Sequence, residues 1–192
     1  MLEQLLQFDQ FIFKIIHFEW SNQVFDLVLP ILREKLIWIP FYLAIIIWAF
    51  FKMSFRSASL FILSIIILVS LADFISSQVI KKTVQRERPC QLAHMPSTDY
   101  ELVPCGGGFS FPSSHATNHF ALAFFLIFSL GKKYRRIHFP LLTWAIMISL
   151  SQIYVGLHFP TDVIAGAILG FIMAFLVWQL FKIMILEKNP LY

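Results

Sequence analysis

Apolar positions fall along this chain in long unbroken blocks, separated by short stretches in which charge, proline and glycine concentrate. Five blocks stand out, at about Leu36–Phe51, Ala58–Ile80, Pro112–Leu130, Ile137–Leu157 and Thr161–Leu186. Each approaches or reaches the roughly 17–25 apolar residues that carry a helix across a bilayer. The expected fold is therefore all-α, an integral membrane bundle of about five transmembrane helices. Residues 2–18 follow another rule. Glu3, Gln7, Gln10, Lys14 and His17 recur at steps of four and three, which lines them along one stripe of a helix with Leu, Phe and Ile elsewhere. This predicts an amphipathic N-terminal helix, lying on the membrane surface or packed on the bundle itself. Val24 to Leu32 is apolar but short, and it contains Asp26 and Pro30, so it reads as a second interfacial or partly inserted piece. The expected division is an interfacial region over 1–35 and a transmembrane domain over 36–192.

Composition agrees with a membrane protein: 58% of the residues are hydrophobic and only 14% are charged, where an ordinary soluble domain has about a quarter charged. The net charge of +4 does not point to nucleic acid, because Lys and Arg in such chains mark cytoplasmic loops and contacts with anionic lipid. The expected partners are the bilayer and a lipid; oligomeric state is left open. Glu3, Asp9 and Lys14 interrupt the first apolar residues and no small-residue cleavage site follows, so the N-terminus is expected to stay on the chain. Short basic loops at Lys52 and Arg56, and at Lys132, Lys133, Arg135 and Arg136, assign one end of the bundle to the cytoplasm. The loop from Lys81 to Phe111 and the turn around His158 then face outward. Lys81, Lys82, Arg86 and Arg88 break the positive-inside tendency, which suggests a task other than topology.

The longest polar stretch, Gln85 to Ser110, holds Pro89, Pro96, Pro104 and three glycines at Gly106 to Gly108, and reads as a functional loop. Cys90 and Cys105 lie within it. A disulfide between them is natural in an oxidising space, and two free thiols are the alternative. Three outward pieces converge at one membrane face: "KKTVQRERP" at 81–89, "PSSH" at 112–115 and "GLHFPTD" at 156–162. Together they offer two cations, two histidines, a carboxylate and the free N–H groups of a helix start. Lys81 and Arg88 suit non-bridging phosphoryl oxygens. Pro112 pre-sets a helix whose first N–H groups, around Ser113 to His115, point at an anion. One histidine can attack phosphorus and the other can protonate the departing oxygen. Asp162 can orient His158 through one ring nitrogen. This set calls for no metal and no cofactor.

The order and spacing of these pieces resemble the type 2 phosphatidic acid phosphatase (PAP2) superfamily. Its first motif, Lys, six residues, Arg-Pro, is matched by Lys81 and Arg88-Pro89. Its second, Pro-Ser-Gly-His, is matched by Pro112, Ser113 and His115, with Ser114 in place of the glycine. Its third, Ser-Arg, five residues, His, three residues, Asp, is matched by Ser151, His158 and Asp162, with Gln152 in place of the arginine. The resemblance implies that His158 is the nucleophile, that His115 is the acid, and that Lys81, Arg88 and Ser113 hold the phosphoryl oxygens, with Ser114 and Gln152 beside them. Gln152 can donate a hydrogen bond but carries no charge, so another cation is expected to compensate, Lys82 and Arg86 being the nearest in sequence.

The implied function is a lipid phosphatase of a bacterial inner membrane with its site at the periplasmic face. Undecaprenyl diphosphate is the first choice of substrate, followed by phosphatidylglycerol phosphate, phosphatidic acid and lipid A; a lipid-phosphate-binding protein with weakened catalysis is the alternative. Other polar residues have quieter readings. His119 is a bundle-facing residue, Asp73 a structural or supporting one, and His94, Asp99 and Glu101 solvated loop positions. Gly156, Gly166 and Gly170 let helices approach closely.

Overall fold

The computed structural model describes residues 2–92 and 102–186, and they form helices joined by short turns, with no strand among them. His94, Asp99 and Glu101 lie outside the described residues. The helices are α1 (Leu2–Lys14), α2 (Gln23–Leu32), α3 (Ile39–Lys52), α4 (Phe55–Phe74), α5 (Lys81–Val84), α6 (Ser114–Leu130), α7 (His138–Tyr154) and α8 (Pro160–Leu186). Four segments are long and apolar enough to cross a membrane: Lys35–Lys52, Phe55–Gln91, Arg135–Tyr154 and Pro160–Ile185. The fifth expected span, α6, has 17 residues, or about 25 Å of helix. It is shorter because Ser113 caps it, accepting the Ala116 N–H, and α6 begins only at Ser114.

α6 is the central helix. Along it Ala116, Thr117, Ala121, Leu122, Phe125 and Leu126 are buried. Its crossing with α8 is close because two glycines face it: a Cβ placed on Gly166 would stand 2.6 Å from the Ser113 carbonyl oxygen, and one on Gly170 2.5 Å from that of Thr117. Phe61, Leu68, Phe125 and Phe181 fill the main core between α4, α6 and α8. A second cluster, around Phe13, Leu29, Tyr154 and Phe159, joins the N-terminal helices to the end of the bundle that carries the three motifs.

The N-terminal helix packs one face on the bundle and leaves another exposed. Asp9, Phe13 and Ile16 are buried against the bundle, at helical spacing, while Leu5, Phe8 and Phe11 remain exposed. The polar stripe is not wholly outward: His17 turns in, its Nδ1 lying 2.6 Å from the Tyr154 carbonyl oxygen. α2 carries Pro30 within it and is capped by Asn22, whose side chain accepts from the Val24 and Phe25 N–H groups. Asp26 on α2 bonds the Tyr154 hydroxyl of α7. Between α4 and α5 the chain takes one wide π-helical turn over Ile75–Ile80. Such turns change the direction in which following side chains point, and they recur at functional sites.

Candidate active site

Backbone bonds hold the three motifs in register. The Ser113 N–H donates to the Asp162 carbonyl oxygen at 2.9 Å, joining the second motif to the third. The Cys90 N–H donates to that of Gly156 at 3.2 Å, joining the first to the third. Gly156 sits at φ +80°, a left-handed turn that glycine adopts without penalty; it lets the chain leave α7 and present His158 two residues later. Ser110 binds the Arg86 and Glu87 carbonyls through its hydroxyl and returns the loop to the bundle. Cys90 and Cys105 are joined by a disulfide with Cα atoms 5.9 Å apart, and so fix the end of the first motif to the approach of the second.

His158 is 2% exposed. Burial pulls its pKa down to about 4; Asp162 opposes the shift, and the charges of Lys81 and Arg88 reinforce it. The ring is therefore neutral at pH 7, the form that can attack phosphorus. Its Nδ1 lies 3.6 Å from Asp162 Oδ2, outside hydrogen-bond range, so the bond expected between them is not formed in this state. Asp162 spends its oxygens elsewhere: Oδ2 accepts the Phe159 N–H at 2.8 Å and Oδ1 accepts from Arg86 Nη1 at 2.7 Å. Catalytic hydrogen bonds are often long in unliganded sites and tighten when substrate binds.

Lys81 and Arg88 are close enough to His158 for their charges to act on it. Arg88 Nη1 reaches the Leu157 carbonyl at 3.4 Å, while its Nε is buried without an acceptor among the described residues. His115 follows the N-cap of α6, close enough to His158 for the two rings to influence each other. The first N–H groups of α6 are those a helix leaves free for an anion. Ser114, standing where the second motif has glycine, accepts from the Ser76 hydroxyl at 3.0 Å and ties α6 to the wide turn of α4. Gln152 is wholly buried, and neither its Oε1 nor its Nε2 has a hydrogen-bond partner among the described residues.

Of the two cations expected to stand in for the missing arginine, Arg86 is already committed to carboxylates. Arg86 binds Asp9 at 2.5 Å and Asp162 at 2.7 Å, donates to the Thr161 hydroxyl at 2.7 Å and stacks over the Phe159 ring at 4.2 Å. It neutralises carboxylates and positions the first turn of α8. Lys82 is exposed. Around the site, His119 places Nδ1 2.8 Å from the His115 carbonyl oxygen and packs on Trp144, and Asp73 accepts from Asn118 at 2.9 Å.

Two residues near the site escaped the reading of the sequence. Asp9 had counted only as an interruption of an apolar run, yet its carboxylate accepts from Arg86 and from both the N–H and the hydroxyl of Thr161. Arg33 precedes the first span, and its charge acts on both Arg88 and His115. The signal for Arg33 was present: α3 carries Lys52 at one end, with Arg33 and Lys35 before the other, the end at which α4 leads to Lys81 and Arg88.

Residues 58–184 match the PAP2 superfamily. The chain belongs to that superfamily. It is 34% identical over 148 residues to the lipid A 4′-phosphatase of Bacteroides thetaiotaomicron, covering 76% of this chain and 64% of that protein. It is 28% identical to undecaprenyl-diphosphatase BcrC of Bacillus subtilis, over 88% of this chain and 81% of the other. The fold is similar to the crystal structure of a transmembrane PAP2 type phosphatidylglycerolphosphate phosphatase from Bacillus subtilis, with TM-score 0.69, 23% identity, and coverage of 98% of this chain and 90% of that one. The PAP2 match includes all three motifs and begins after α3, so α1, α2 and α3 lie outside it.

Proposed function

We propose that this PAP2 chain is a membrane lipid phosphatase that works through a phosphohistidine on His158, without a metal. The observation that carries the reading is the meeting of a buried, neutral His158 with Lys81, Arg88, the α6 N-terminus and His115 at one end of a membrane bundle. In the first step a ring nitrogen of His158 attacks phosphorus, the bond from phosphorus to the lipid oxygen breaks, and His115, which enters the step as the imidazolium with the anionic phosphate beside it, gives that oxygen a proton. Lys81, Arg88 and the Ser113 hydroxyl hold the non-bridging oxygens as their charge rises. In the second step water attacks the phosphohistidine, His115 takes a proton from the water, and inorganic phosphate leaves with His158 restored. Asp162, which faces the other ring nitrogen, holds the ring in orientation.

A lipid substrate is supported by a groove of about 580 Å³ between α3, α4, α6 and α7. Its walls include Tyr42, Ile45, Ile62 and Val69, and its polar end includes Lys35 and His119, the latter bonded to the carbonyl of His115. An acyl or prenyl chain lying there would have its polar end beside His119, one helical turn from His115. Undecaprenyl diphosphate at the periplasmic face of a bacterial inner membrane remains the first reading. The 34% identity to a lipid A 4′-phosphatase favours a phosphate of lipid A as the second. Phosphate release from both lipids, phosphatidylglycerol phosphate and phosphatidic acid, measured in detergent with EDTA, tests the proposal. Release that disappears in His158→Ala is the expected result; release that persists in His158→Ala, or that EDTA abolishes, contradicts it.

A further inference from the structure

The corner between α2 and α3 is pinned to the end of the bundle that holds the histidines. Trp38 Nε1 donates to the Leu32 carbonyl at 2.8 Å, Asp26 bonds the Tyr154 hydroxyl, and Leu32 packs on the cluster containing Ala116, Leu157 and Phe159. The next residue, Arg33, is thereby held near enough to the site for its charge to act on Arg88 and His115. Its side chain is 15% exposed, and its Nε is buried without an acceptor among the described residues. Its one ion pair among the described residues, with Glu34 at 3.8 Å, is loose and lies on a carboxylate that is 64% exposed. Such pairs contribute little. Arg33 therefore adds charge to a pocket that already holds Lys81 and Arg88, while the carboxylate of that pocket, Asp162, is taken up by Arg86.

Cations gathered against one another without matching carboxylates repel, and the arrangement makes sense around an anion. Gln152, which has no charge, leaves the third motif one cation short, and Arg86, bound to Asp9 and Asp162, does not supply it. We propose that Arg33 is a phosphoryl-binding residue of this site, reaching it from the N-terminal region outside the PAP2 match and supplying the charge that Gln152 lacks. The proposal rests on the phosphatase reading. A guanidinium is suited to the role because its planar fork can engage two oxygens of one phosphoryl group, and it stays charged when half-buried.

The test is inorganic phosphate binding to the full chain in detergent by titration calorimetry, together with lipid phosphate release, for wild type, Arg33→Ala, Arg33→Lys and Arg33→Gln. Loss of one charge-assisted contact corresponds to about a ten- to hundredfold weaker affinity for phosphate. The expected result is a loss of that size in Arg33→Ala and Arg33→Gln, a smaller loss in Arg33→Lys, and partial recovery of Arg33→Ala by added guanidinium ion at low concentration. Arg33→Gln keeps most of the side-chain stem and carries the same test should the alanine variant not fold. Unchanged phosphate affinity in Arg33→Gln overturns the inference, whether or not the chain hydrolyses lipid. A wild type that binds phosphate but hydrolyses none of the lipids overturns the phosphatase reading alone.

Discussion

Replacing Asp9 with alanine removes the clasp between the N-terminal helix and the catalytic end of the bundle. In the intact chain the Asp9 carboxylate is buried, with Oδ1 accepting the Thr161 N–H at 2.9 Å and Oδ2 accepting both the Thr161 hydroxyl at 2.6 Å and Arg86 Nη2 at 2.5 Å. Removing one partner of a buried ion pair costs about 3–5 kcal/mol, because the other charge is left without its counter-ion. Arg86 keeps Asp162 and Thr161 and is partly exposed, so the lower end applies, about 3 kcal/mol. For a chain of this size that lowers the thermal midpoint by about 6–12 °C. Activity falls as well, since Thr161 and Arg86 both position Asp162. Asp9→Asn keeps an acceptor for the Thr161 N–H and loses only the charge, so its effect is smaller. The assay is thermal unfolding of wild type and both variants in one detergent, with lipid phosphate release measured on the same samples. A midpoint in Asp9→Ala within about 2 °C of wild type, with full activity, would refute the argument that this buried pair locks α1 to α8.

Gly166→Ala puts a methyl group 2.6 Å from the Ser113 carbonyl oxygen, and backbone cannot move aside as a side chain can. A loss of about 1–3 kcal/mol and a drop in activity are expected, measured by thermal unfolding and phosphate release, while Gly107→Ala, with no atom of the described residues within 4 Å of its Cβ, serves as the neutral control. His158, held at about 4 by burial against an ordinary 6.5, binds a proton less readily when folded. The stability it contributes is complete above about pH 6.5 and is lost as pH falls toward 4, by about 3 kcal/mol in all. NMR of isotope-labelled histidine, assigned with His158→Gln, is expected to show this ring still neutral at about pH 5.5; a charged ring there contradicts the burial argument. The Cys90–Cys105 bridge closes a loop with a sequence separation of 15, and opening it by Cys→Ser replacement of both residues is expected to cost about 3 kcal/mol. Alkylation without reductant, followed by mass measurement, checks the bridge directly: two labelled thiols in the wild type would show it absent.

The apolar blocks were legible because each lies within one helix, where local composition and length decide the outcome; the starts and ends of α3, α7 and α8 fall within a few residues of the pattern. The three motifs were legible as a set because their spacing fixes which side chains face one end of the bundle. Asp9 was not, because its worth depends on partners at positions 86 and 161, and nothing within its own helix marks it. Arg86 was misjudged for the same reason: sequence distance placed it beside the phosphate-binding residues, whereas two buried carboxylates neutralise it. The wide turn at Ile75–Ile80 has no signal in the hydrophobic pattern, since inserting one residue into a helical turn changes the direction of Lys81 without changing composition. Arg33 was readable from charge placement alone, but its burial required knowing that α2 folds back onto α7.

The central claim is that phosphate passes through His158. Brief reaction with a lipid carrying a radiolabelled phosphate, quenched in alkali where phosphohistidine survives, followed by mass mapping of the labelled peptide, tests it most directly. The account predicts label on His158 that accumulates during turnover, clears as inorganic phosphate is released, and is missing in His158→Ala. Active enzyme that never carries the label, or label that persists in His158→Ala, would contradict it.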